Sequence, residues 1–65
     1  MELQQLAEEY RASAAKLARG LEKIRAEKAG ARGDLMLELE RRELLMVREL
    51  RDLVSLARYL REYYA

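Results

Sequence analysis

The run from Asp34 to Tyr64 constrains this chain more than any other feature: thirty-one residues with neither glycine nor proline. Apolar side chains recur within it at Met36, Leu39, Met46, Leu50, Leu53, Ala57, Leu60 and Tyr64, three and four apart by turns and interrupted once, at Glu43. Residues at that spacing share one side of an α-helix. The pattern therefore predicts a long helix that packs lengthwise on another helix. The upstream half supplies the partner, with Leu3, Leu6/Ala7, Tyr10, Ala14, Leu17, Leu21 and Ile24 recurring near the helical period.

Between the two runs lies Ala29-Gly30-Ala31-Arg32-Gly33, the one stretch with turn chemistry. Gly30 suits the left-handed position after a helix C-terminus, and Asp34 suits the cap of the next helix. So short a link makes the helices antiparallel neighbours. The expected architecture is all-α: one helical-hairpin domain over 1–65, with a helix over 2–29, a turn at 30–33 and a helix over 34–64. Gly20 stands inside the first helix, where it costs about 1 kcal/mol relative to alanine. It is either a tolerated weakness or a place where another helix comes close.

Charge patterning suggests a register for the hairpin. With the reversal centred near residues 31 and 32, Lys16, Arg19, Lys23, Arg25 and Lys28 fall beside Val47, Leu44, Glu40, Glu38 and Leu35, a segment that also carries Glu43 and Asp34. At the open end, Glu2, Glu8 and Glu9 fall beside Arg61, Ser55 and Val54, with Arg58 in reach. Each exposed pair contributes only about 0–1 kcal/mol, so the match speaks to orientation rather than stability.

Size and composition narrow the function classes. Sixty-five residues can bury only a thin core, and small chains are usually reinforced by disulfides, a metal or a partner chain. With no Cys and no His, disulfides are excluded and a zinc or iron–sulfur site is disfavoured, which leaves association. A net charge of +1 gives no bulk attraction to nucleic acid or anionic membrane. Glu2 follows Met1 where a signal peptide would carry basic residues, and the longest apolar run is Leu44 to Val47. A cytoplasmic protein without membrane contact is expected.

The second helix carries more apolar surface than the first can cover. Leu37 and Leu44 fall to one side of its main stripe; Leu45, Leu56 and Tyr63 fall to the other. Large apolar patches are uncommon on monomers, so two hairpins are expected to join as a homodimeric four-helix bundle. The expected interface residues are Leu37, Leu44, Leu45, Val47, Val54, Leu56, Leu60 and Tyr63. The function this implies is protein interaction by self-association, with adaptor or regulatory binding of another protein as an extension.

Other constellations point less far. Glu43 and Arg61 interrupt the apolar stripe. Glu43 is either solvated at a wet edge or a register-setting residue paired with Arg19 or Lys23. The pairs Glu40/Glu43 and Glu49/Asp52 have helical spacing, but without His they lack the Glu-x-x-His signature of di-metal bundles. Lys16, Arg19, Lys23 and Arg25 form a basic strip able to meet phosphates, which makes a small nucleic-acid-associated regulator the alternative function. Tyr10, Tyr59, Tyr63 and Tyr64 gather toward the open end, as an end-plug or as partner anchors. Catalysis has no visible machinery: Ser13 and Ser55 have no base at recognisable spacing, and Gly30-Ala31-Arg32-Gly33 lacks the Lys-Ser/Thr of a phosphate loop. A non-enzyme with no cofactor and no small-molecule substrate is expected.

Overall fold

The computed structural model describes residues 3–63 as two helices that pack side by side, α1 (Leu3–Lys28) and α2 (Gly33–Tyr63). The hairpin is a rod of 47 × 15 × 14 Å, its length set by the 31 residues of α2. The expected ends at Glu2 and Tyr64 lie outside the described residues.

The seam between the helices follows the three-four rhythm on both. On α1 the buried residues are Ala7, Ala14, Leu21 and Ile24, with Leu17 and Lys28 half-buried in step. On α2, Leu39 and Ala57 are buried, while Met36, Glu43, Met46, Leu50, Leu53 and Leu60 are half-buried. The two ends differ in chemistry. Near the turn, Ile24, Ala31 and Leu39 form the core with Met36 and Met46 against it, and Leu39 is only 1% exposed. At the open end the buried residues are alanines, which fill little volume and let the helix axes approach.

The reversal departs from expectation in two ways. Gly33, at φ 58°, takes the left-handed conformation expected of Gly30. It also begins α2, so the non-helical link is residues 29–32. The end of α1 tightens instead by three-residue bonds: the Gly30 N–H donates to the Glu27 carbonyl at 3.2 Å, and the Ala31 N–H to the Lys28 carbonyl at 3.1 Å. Ala31 then continues the α1 seam into the core, at 3% exposure, before the chain turns back at Gly33.

That late reversal shifts the register. Arg25 meets Glu43 and not Glu38, more than one helical turn further along α2 than anticipated. At the open end Glu2, the expected neighbour of Arg61, lies outside the described residues. Glu8 pairs within its own helix, to Arg11 at 3.2 Å, and no ion pair joins α1 to Arg58 or Arg61 among the described residues.

Gly20 is a close-approach glycine. A Cβ there would stand 2.9 Å from Met46 Cε, so the Met46 side chain occupies the space that a larger residue would need.

Candidate protein-interaction surface

Glu43 is the polar centre of the seam. Lys28 Nζ donates to its Oε1 at 2.8 Å and Arg25 Nε to its Oε2 at 2.9 Å. These partners replace the expected Arg19 or Lys23, as the shifted register requires. Glu43 and Lys28 both occupy seam positions, with side chains 21% and 26% exposed, while Arg25 reaches in from the wetter edge. The hydrogen bond from Lys28, then that from Arg25, holds the Glu43 carboxyl below its ordinary range against the opposing effect of desolvation. Sliding the hairpin by seven residues would seat this carboxylate against Ala18 and Leu21. The ion pair therefore selects one register where apolar contacts alone would tolerate several.

Outside the seam, α2 is unusually apolar. Leu35, Leu37, Leu44, Leu45, Val54, Leu56, Tyr59 and Tyr63 are all exposed, Leu37 to 62% and Leu44 to 53%. Of the eight residues anticipated for an interface, Leu37, Leu44, Leu45, Val54, Leu56 and Tyr63 thus lie in the open, while Val47 and Leu60 are half-buried. They divide into two flanks. Leu37, Leu44, Val47 and Val54 share one side of the seam; Leu45, Leu56, Tyr59 and Tyr63 share the other. Tyr59 and Tyr63 stack there, ring centroids 5.4 Å apart at 21°.

The first flank runs into a basic groove that sequence reading did not anticipate. Arg11, Arg58 and Arg61 surround a floor of Ala14, Val54 and Ala57 in an open groove of about 310 Å³. Arg58 and Arg61 have no ion-pair partner among the described residues, and Arg11 is held by Glu8. In this register Arg11 stands beside Arg58 and Arg61, so three cations line the groove.

The basic strip of α1 is only partly engaged. Arg25 binds Glu43, while Lys16, Arg19 and Lys23 are exposed and unpaired among the described residues. Among those residues, no group of three or more acidic side chains stands close enough to hold a metal ion. Nor is any described helix long and apolar enough to cross a membrane. Comparison of the chain with protein-family models, curated proteins and solved structures finds no match.

Proposed function

We propose that the chain is a non-catalytic protein-interaction module that works by pairing with a second copy of itself, two hairpins joining as a four-helix bundle through exposed apolar surface of α2. The supporting observation is surface in excess of what a monomer of this mass carries. The hairpin exposes 5279 Å², against about 4,300 Å² expected for a monomeric protein of 7.6 kDa. The surplus, about 1,000 Å², is comparable with the roughly 800 Å² that each partner contributes to a standard interface. The radius of gyration of 14.8 Å, against about 11 Å for a compact domain of this length, has the same origin in a one-sided core. The surplus is also apolar where it counts, along α2. Adaptor or regulatory binding of another protein would use surfaces that the pair leaves free.

Thermal unfolding followed by circular dichroism over a wide range of protein concentration tests this reading. A dimer that folds as it assembles gives a midpoint that rises with concentration, whereas a self-sufficient monomer gives a constant one. A constant midpoint would overturn the proposal.

One observation favours a second reading, a nucleic-acid-associated regulator: Lys16, Arg19 and Lys23 stand on one side of α1 with no ion pair among the described residues. Titration of labelled duplex DNA decides it. Phosphate contact predicts binding at low salt that weakens steeply as salt rises, and absence of binding at low salt removes this reading.

A further inference from the structure

We infer that the second copy docks on one flank of α2 only, the Leu37–Leu44–Val47–Val54 side, and runs antiparallel so that Glu40 of each chain pairs with Arg58 of the other. This rests on the self-association proposed above and specifies its face and direction.

The flank is self-complementary when reversed. Its residues recur three and four apart from Leu37 to Arg61. Turning that stripe on itself about a twofold axis near Glu49 sets Leu44 against Val54 and Glu40 against Arg58. It also lays the aliphatic stems of Arg51 and Arg61 over Val47 and Leu37, the usual use of a long cationic side chain at an interface. Every contact occurs twice, as an isologous interface requires. Glu40, Arg51, Arg58 and Arg61 make no ion pair within the chain among the described residues.

The remaining charge is accommodated on α1. Ala15, Ala18 and Glu22 lie on the same side of α1 as Arg11, which lines the groove with Val54. The two alanines form a low wall over which a second α2 can approach. Glu22 lies between Gly20, which meets Met46, and Arg25, which meets Glu43. It therefore stands level with Leu44, within a helical turn of Val47, where the second copy's Arg51 arrives.

Alternative arrangements fail on charge. The other flank has Glu49 and Asp52 at its middle, so packing two copies there would crowd four carboxylates at the axis. A parallel pairing on the chosen flank would set Arg58 on Arg58 and Glu40 on Glu40. The antiparallel arrangement sets Leu44 on Val54 and pairs acid with base.

The test is a charge swap read by sedimentation equilibrium on the full chain. Arg58→Glu and Glu40→Arg should each weaken the dimer by on the order of tenfold, since each substitution replaces attraction with repulsion at two symmetric places. The double variant, with the wild-type net charge, should restore it. Leu45→Glu with Leu56→Glu, on the other flank, should leave the dimer intact. Spin labels at Glu62→Cys should stand about 40 Å apart across the antiparallel pair and much closer in a parallel one. A wild-type dimer insensitive to both single swaps, or not restored by the double, would overturn the register while self-association stood. A wild-type monomer would overturn both.

Discussion

Gly20→Ala isolates the closest contact between the helices. The added methyl supplies about 1 kcal/mol of helix propensity. It also enters space held by Met46, with its Cβ 2.9 Å from Met46 Cε and 3.9 Å from Sδ. The obstructing atom is the end of an unbranched, half-buried side chain, which can turn aside for about 0.5 kcal/mol of rotamer strain. The net expectation is stabilisation by about 0.5 kcal/mol, or 2–4 °C in the thermal midpoint of a domain this small. In a Met46→Leu background the terminal methyl is gone, and the same substitution should yield the full gain of about 1 kcal/mol. Gly20→Val, which adds two further carbons at the contact, should instead destabilise by about 1–3 kcal/mol. Urea unfolding of the wild type, of Gly20→Ala and Met46→Leu singly, and of the two combined, all at one fixed concentration, measures the difference. Equal gains in both backgrounds would show that Met46 does not limit the approach. A loss above about 1 kcal/mol in both would show that something less yielding than a methionine tip stands there.

Three further outcomes follow from the seam and turn. Leu39→Ala should cost about 2–5 kcal/mol and leave the chain largely unfolded at room temperature by circular dichroism, because Leu39 is the most buried large side chain. Glu43→Gln should flatten the acid limb of the stability profile in urea titrations. The folded state lowers the Glu43 pKa below its ordinary 4.5, so its contribution is present above that value and is lost as pH falls through the folded pKa. An unchanged acid limb would remove Glu43 as a pH-sensitive contributor. Gly33→Ala should destabilise by about 1 kcal/mol in the same urea assay, since alanine must take the left-handed φ of 58°, whereas Gly30→Ala should cost less.

The fold was legible because two sequence signals agreed. The three-four spacing in α2 and in α1 named both helices, and the glycines around residue 31 required a turn. The register was not legible, and a single residue accounts for much of the error. Ala31 reads as a turn residue by its neighbours, yet it is buried and extends the α1 seam, so the reversal comes at Gly33. The cross-helix neighbours inferred for Arg25 and Lys28 from a turn centred at 31 and 32 were displaced accordingly. Glu43 found Arg25 and Lys28, and the Arg58–Arg61 groove was missed entirely. One sign was available in the sequence: Lys28 continues the heptad of Leu21 and Ile24, and a cation in a seam calls for the only acid in the opposing seam, Glu43. The exposed flanks of α2 were legible from the same periodicity, since more apolar positions were present than one partner helix could cover.

Self-association through α2 is tested most directly by the mass of the wild-type chain in solution. Sedimentation equilibrium over a wide concentration range should show a reversible passage from the 7.6 kDa chain to twice that mass. Leu44→Glu with Val54→Glu should abolish the heavier species. A folded chain that remains at 7.6 kDa at every concentration would contradict the account.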